Sequence, residues 1–310
     1  MDLLSLVLEA APKAGVYAAV MLSVGASTAR WLVRTRVARA VGASGPIASS
    51  ATREDGFATV QGDSPPDEAA RFEDGLARLL SASTWFMLGA LLLRAWSHTA
   101  VSFGVAGAFD WYNLRTIAWE SRWGEAWTWQ VAGAVILFLL ARSIRRSPSV
   151  GWTATTLGSV AMCYLVPLLG HAAGEPDRVV LHGSHVLGGG IWLGTLAAVV
   201  RASSSVSALR VATLQRFSVV AFSGASLLVV TGAVALWMYV PSFRALVVST
   251  YGKLLILKLV LVAEAARLGF LNWRAFKSAK GDRTAGVLTE VACAAAIVFV
   301  TALLTESEHP

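Results

Sequence analysis

Histidines are the residues of this sequence with the clearest capacity for chemistry, because neutral imidazole nitrogens bind transition metals. The chain contains five histidines, and the last of them, His309, lies in the C-terminal tail. The other four lie at or near the ends of apolar stretches and are His98, His171, His182 and His185. We therefore ask first whether these four side chains can meet at one place.

The spacing of the histidines predicts that three of them converge. His182 and His185 are three residues apart, so on a helix they project about 60° apart and can face one point. His171 is separated from the next apolar stretch by a short link, residues 172–178, which predicts two antiparallel neighbouring helices. The three imidazoles then predict a site for zinc, copper or iron, with His98 as a fourth candidate. The alternative is that these rings only hydrogen-bond to water or to backbone carbonyls.

Several other residues could assist such a site. Glu175 and Asp177 could accept hydrogen bonds from the imidazoles and orient them. Tyr164 lies on the same predicted helical face as His171, and the neighbouring Cys163 is either a deeper ligand for copper(I) or a buried apolar residue. Met238 ends another apolar stretch on the same side and could join the site.

Charged side chains inside apolar stretches are costly and need partners. Lys258 lies in the outer third of its stretch, so its ammonium can extend to the surface. Arg267 and Glu290 are predicted at a similar depth on adjacent helices, where they can form an ion pair. Glu264 is predicted near mid-depth without an obvious partner, so it is protonated, paired or part of an ion path.

Apolar helices must position all of these residues. Of the 310 residues, 55% are hydrophobic and 15% are charged, whereas soluble domains carry about 25% charged residues. Eight stretches are long enough to cross a membrane, approximately 14–33, 79–97, 126–143, 152–170, 179–200, 217–240, 253–272 and 286–305. The sequence therefore predicts an all-α, polytopic membrane helix bundle of about eight transmembrane helices, built as a single transmembrane domain over residues 1–310.

The basic residues predict the orientation of the bundle. Most of the 26 Lys and Arg side chains lie in the connections after the first, third, fifth and seventh stretches. By the positive-inside rule these connections are cytoplasmic, so both termini and the four histidines lie outside. The net charge of +7 is then explained by the basic residues of the cytoplasmic connections, and we expect no nucleic-acid partner. Asp2 is unfavourable for a signal peptide, so we expect the first helix to be retained.

Two connections and one helix have unusual compositions. Residues 41–75 are rich in small and acidic residues and predict a flexible cytoplasmic loop. The outer connection 98–125 and its flanks contain six tryptophans, which predict an interfacial belt, on a short helix in the headgroup region. Four glycines between residues 188 and 194 predict close helix packing or, alternatively, room for a cofactor beside Trp192.

Short blocks spread over residues 120–305 form a recognisable pattern. They are Ser121 to Trp127, Gly170-His171-Ala172, His185 with Gly188 to Gly190 and Trp192-Leu193-Gly194, Arg216-Phe217-Ser218, Thr231-Gly232, Tyr251-Gly252-Lys253, Lys258, Asn272 and Glu290. This pattern resembles the copper resistance protein D family of bacterial inner-membrane proteins, while residues 1–100 are similar only as apolar stretches. The resemblance implies copper handling at the periplasmic face, with import toward the cytoplasm, and it implies metal-binding roles for His171 and His185.

Three functions are compatible with these features. The first is a copper-binding inner-membrane protein that takes up copper and imports or delivers it, with a periplasmic copper-binding protein or a larger membrane complex as partner. The second is a membrane cytochrome that holds haem b between histidines of neighbouring helices. The third is a structural or assembly subunit of a larger complex. The sequence contains no Ser–His–Asp set, nucleotide-binding loop or paired-carboxylate site, so we expect no enzymatic activity.

Overall fold

The computed structural model describes residues 3–43, 65–170, 174–202, 207–240, 242–277 and 284–307. The α-helices are α1 (Leu3–Ala43), α2 (Pro65–Gly107), α3 (Trp111–Glu120), α4 (Arg122–Ser143), α5 (Pro148–Leu165), α6 (Pro176–Gly189), α7 (Thr195–Ala202), α8 (Ser207–Tyr239), α9 (Phe243–Val248), α10 (Thr250–Lys277) and α11 (Thr284–Glu306). A 3₁₀ turn (Val166–Leu168) follows α5, and a π-helical turn (Gly190–Gly194) joins α6 to α7. Within the described ranges every regular element is helical, which confirms the predicted all-α bundle.

Six helical segments of the described chain are long and apolar enough to cross a membrane. They are Leu3–Arg34, Ala69–Gly107, Arg122–Ser143, Pro176–Ala202, Phe217–Tyr239 and Leu288–Glu306. The remaining two predicted spans, 152–170 and 253–272, coincide with α5 and α10, which are helical but are not among these six segments. The predicted span 253–272 within α10 differs because four charged side chains interrupt it, Lys253, Lys258, Glu264 and Arg267. The protein is thus a multi-pass helical membrane protein, and the number eight stays a prediction.

The long loop predicted over residues 41–75 is shorter than expected. Helix α1 continues to Ala43 and α2 already begins at Pro65, so the loop prediction is wrong for residues 41–43 and 65–75. Residues 44–64 lie outside the described part of the chain. Glu73 shows why the helix starts early, because its carboxylate binds the guanidinium groups of Arg30 and Arg34 on α1.

This ion pair also marks one end of the bundle. Ala202, the last residue of α7, lies at the same end, since a Cβ built on Gly75 would be 3.4 Å from the Ala202 Cβ. Helix α1 and the continuous helix formed by α6 and α7 therefore run in the same direction toward this end. Their first turns lie together at the opposite end, which holds the candidate site.

The predicted aromatic belt divides into two groups. Helix α3 is the expected short helix, and its Trp111 and Trp119 are 69% and 67% exposed. The helix begins after Asp110, whose carboxylate accepts a hydrogen bond from the Tyr112 backbone amide. Trp127 instead turns inward, where its indole N–H donates to the Leu91 carbonyl at 2.9 Å. Trp111 and Trp119, and also Trp129 of α4, have the exposure expected of residues at a membrane surface, whereas Trp127 does not.

A buried amide fixes the end of α5 that leads to the site. Pro167 has no backbone N–H, so α5 cannot continue its hydrogen-bonding ladder there. The Gln130 side chain of α4, which is fully buried, donates from Nε2 to the carbonyls of Leu165 and Val166 at 3.0 and 2.9 Å. The direction of the chain toward Gly170 is therefore set by α4.

Glycines allow the central helices to touch through their backbones. Gly25 of α1 and Gly194 lie so close together that a Cβ on either would overlap the backbone of the other helix. A Cβ on Gly188 of α6 would similarly be 3.0 Å from the Gly224 carbonyl oxygen of α8. The close-packing interpretation of the glycine-rich segment is therefore confirmed, since small residues let membrane helices approach.

Replacing Gly25 with alanine is expected to destabilise the bundle by about 1–3 kcal/mol, because an added methyl group must push α1 away from Gly194. Unfolding of the purified protein in detergent measures this change. The matched control is Gly89→Ala in α2, where a Cβ meets nothing within 4 Å. That change should be neutral or slightly stabilising, because alanine favours a helix by about 1 kcal/mol over glycine. Equal effects of the two substitutions would contradict the close contact.

Candidate functional site

His185 on α6 is held by a threonine of α8. Its Nδ1 is 2.9 Å from the Thr231 hydroxyl oxygen, and that hydroxyl donates its own proton to the Leu227 carbonyl at 2.6 Å. Thr231 must therefore accept from His185, so the imidazole proton lies on Nδ1 and the lone pair on Nε2. Gly232 leaves room for the ring, since a Cβ there would be 3.5 Å from His185 Cε1. This arrangement leaves Nε2 chemically able to bind a metal.

His182, one turn earlier on α6, contacts a different level of α8. Its Nε2 is 3.1 Å from the Tyr239 hydroxyl, and the two rings stack with their centroids 5.7 Å apart. Tyr239 is eight residues from Thr231, which corresponds to about 12 Å along a helix. The rings of His182 and His185 therefore contact α8 at two different depths.

His98 on α2 is oriented by a carboxylate of α1. Its Nδ1 is 2.9 Å from Glu9 Oε1, and its ring stacks on Trp123 with a centroid distance of 4.2 Å and an interplanar angle of 5°. A carboxylate accepts, so the neutral ring donates from Nδ1 and carries its lone pair on Nε2. A histidine that donates to a carboxylate on one side commonly binds a metal on the other.

A buried ionic network lies beside His98. Lys13 Nζ is 2.7 Å from Glu306 Oε1 and also donates to the Thr305 carbonyl at 3.3 Å. Arg94 Nη2 is 3.3 Å from the same Glu306 oxygen and donates to the Leu169 carbonyl at 3.4 Å. The Lys13 and Arg94 side chains are only 1% and 5% exposed, so the carboxylate of α11 joins α1 and α2 away from water.

This network is not among the features predicted from the sequence. Its signal is nevertheless present, because Lys13 adjoins the first apolar stretch and Arg94 lies inside the second, and charges at such positions need partners. The partner Glu306 lies more than 200 residues from either cation, so nothing local in the sequence indicates the pairing.

His171 itself lies outside the described residues, so its predicted convergence with His182 and His185 stays a prediction. Gly170, the residue before it, lies beside the ionic network, since a Cβ on Gly170 would be 3.7 Å from Lys13 Nζ. In the part of the chain that the structure describes, no group of three or more His, Cys, Asp or Glu side chains is close enough to hold a metal ion.

Five other residues are predicted to assist the histidines, and they lie in different surroundings. Glu175 and Asp177 are exposed, and the observed ring partners are Thr231, Tyr239 and Glu9. Met238 is 36% exposed. Tyr164 does face α6, where its hydroxyl is 3.3 Å from the Ser184 hydroxyl. Its neighbour Cys163 is fully buried in an apolar cluster with residues of α1, and its thiol donates to the Ser159 carbonyl at 3.4 Å.

The predicted ion pair between Arg267 and Glu290 is wrong. Arg267 binds Glu264, one turn away on the same helix, through two hydrogen bonds of 2.7 Å. Glu290 is buried and instead accepts from the Asn272 side-chain amide at 3.0 Å. Depth along two helices does not determine which faces they present, and Arg267 lies on a different face of α10 from Asn272, the residue that Glu290 of α11 contacts. Glu264 consequently has a partner, and its exposed position does not support an ion path through the bundle.

Lys258 lies on α10 and is half-buried. Its predicted role at the site stays a prediction.

Fold and site together define a polytopic helical membrane protein with histidines gathered at one end of its bundle. Residues 7–177 match the family described as copper resistance protein D-like, N-terminal domain, and residues 211–306 match the family described as copper resistance protein D. The chain belongs to the copper resistance protein D family and is a copper resistance membrane protein. No curated protein and no solved structure matches it significantly.

These matches correct the extent of the resemblance. Residues 1–100 are more than generic apolar stretches, because the N-terminal match begins at residue 7. The block from His185 to Gly194 lies between the two matched ranges, as does His182. The buried network, in turn, joins the two matched regions, since Lys13 and Arg94 belong to the first and Glu306 to the second.

Proposed function

We propose that this copper resistance membrane protein binds copper at the end of the bundle that carries His98, His182 and His185. The observation that carries the proposal is the orientation of His98 and His185. Each ring donates its Nδ1 proton to a partner on another helix, Glu9 or Thr231, so each has an Nε2 lone pair available. Imidazole nitrogen suits both oxidation states of copper.

We further propose that the copper is taken up from the periplasm across the bacterial inner membrane. Arg30 and Arg34 lie at the end opposite the histidines, and the positive-inside rule assigns such an arginine-rich end to the cytoplasm. The histidines then face the periplasm, where the ion would be captured. We propose a binding and transport role without catalysis, in which the captured copper either crosses the bundle or passes to a partner protein.

Copper uptake into proteoliposomes tests the proposed transport. Liposomes that contain the protein and a trapped copper indicator should accumulate copper faster than empty liposomes, and the rate should fall at acidic pH because protons then compete with copper for the imidazole nitrogens. The same experiment compares the wild type with His185→Ala, which removes one of the proposed ligands. Its matched control is Glu120→Gln in α3, which changes a side chain that is 51% exposed. Copper that stays bound outside, with no uptake by the wild type, would contradict transport and favour delivery to a partner.

A further inference from the structure

Helix α10 carries an ion pair on the outer surface of the bundle. The Arg267 guanidinium donates from Nε and Nη2 to the two carboxylate oxygens of Glu264, each at 2.7 Å. The two side chains are 58% and 41% exposed. They therefore satisfy each other but contact little else of the described chain.

The depth of this pair follows from the packing of α10 on α11. Asn272 and Glu290 are hydrogen-bonded across this interface, near the short connection between the two antiparallel helices. Glu264 is eight residues from Asn272, or about 12 Å along the axis. The same distance along α11 from Glu290 reaches Val298, close to the middle of the span Leu288–Glu306. The ion pair thus lies at the depth of the hydrocarbon core.

The exposed residues around the pair form a regular pattern. At alternating spacings of three and four, one face of α10 presents the following exposed residues, which we call the α10 stripe: Lys253, Ile256, Val260, Ala263, Arg267, Phe270 and Arg274. This is the spacing with which two helices pack along a seam. Glu264 borders the stripe on one side.

A comparison with α8 shows what is unusual about this face. The span Phe217–Tyr239 is also largely exposed, but it contains no charged residue, so lipid chains can cover it. On α10, lipid chains would meet two charged side chains at mid-depth, which is unfavourable even when they are paired. Charged residues within a span normally face protein or water.

We propose that a second copy of this chain covers the α10 stripe, so that the protein is a two-fold symmetric dimer in the membrane. Copies insert with one orientation, so the symmetry axis runs along the membrane normal and the two α10 helices pack in parallel. Both ion pairs then lie at the same depth, and each Arg267 can bind the partner's Glu264 as well as its own. The face is self-complementary because it carries both charges, as an isologous interface requires.

Cysteine cross-linking in native membranes tests this interface. Ala263→Cys, in the middle of the stripe, should give a disulfide-linked product of twice the chain mass when a copper-free oxidant is added. The matched control is Val230→Cys on α8, a residue that is 62% exposed and should give no such product. Adding Glu264→Arg to the Ala263→Cys chain should reduce the product at least about tenfold, because the stripe then carries only positive charge at this level.

Adding Arg267→Glu as well, which exchanges the two charges, should restore the product. Equal cross-linking at Ala263 and Val230, or no dimer in bilayer nanodiscs, would overturn the proposal in favour of a lipid-covered face. Protection of Ala263→Cys by a different copurifying membrane protein would overturn it in favour of that occupant.

Discussion

Replacing His185 with alanine is expected to lower the affinity of the purified protein for copper at least about 100-fold. Loss of a residue that merely supports a ligand typically costs about 10- to 100-fold, and loss of the ligand itself should cost more. His185 is the ring whose Nε2 is most clearly prepared for a metal, because Thr231 holds its Nδ1 proton. Competition titration against a copper(I) chelator measures the change.

The matched control for this experiment is Thr231→Val. It keeps the imidazole and nearly the same side-chain shape but removes the oxygen that accepts from Nδ1. The expected loss is smaller, about 10-fold, because the ring can then rotate and change its tautomer. A His185→Ala protein with wild-type affinity would show that copper binds elsewhere.

Replacing Glu306 with glutamine is expected to destabilise the protein by about 3–5 kcal/mol, because it removes the carboxylate that both buried cations contact directly. Lys13 and Arg94 both contact the same Glu306 oxygen and are almost inaccessible to solvent. The last helix should then separate from α1 and α2 more readily. Unfolding in detergent by heat or denaturant measures the effect.

The matched control is Glu120→Gln, which removes one partner of an exposed ion pair in which Arg115 Nε is 3.8 Å from the carboxylate. Exposed pairs contribute little, so no measurable change is expected. If both substitutions changed stability equally, the buried network would not join the helices as described.

The sequence predicts the helices well because each needs only a local property, an apolar stretch of sufficient length. His182 and His185 do lie in the first three turns of α6, whereas α2 continues nine residues beyond His98 to Gly107. The two failures in α10 have a common cause. An ion pair between Arg267 and Glu290 is predicted because the two residues lie at a similar depth. Such a pair also requires that the two side chains face each other, and Glu264 lies closer to Arg267 on the same helix. The spacing of three between Glu264 and Arg267 is itself a pairing signal.

The chemistry of the site is harder to predict, because its determining contacts join distant parts of the chain. Thr231 and Tyr239 lie 46 and 57 residues from the histidines that they contact. Helical spacing shows that His182 and His185 share a face, but only the packing of α6 on α8 shows which ring nitrogen carries the lone pair. Similarly, the pairing of Glu9 with His98 depends on the register of α1 against α2.

The most direct test of the central claim is the copper content of the purified protein after loading and removal of free metal. For the wild type we predict about one copper ion per chain, bound through imidazole nitrogen. The doubly substituted protein His182→Ala/His185→Ala, confirmed to be folded by its unfolding transition, should retain little copper. Full stoichiometry and unchanged affinity in that variant, or a wild type that binds no copper, would contradict the account.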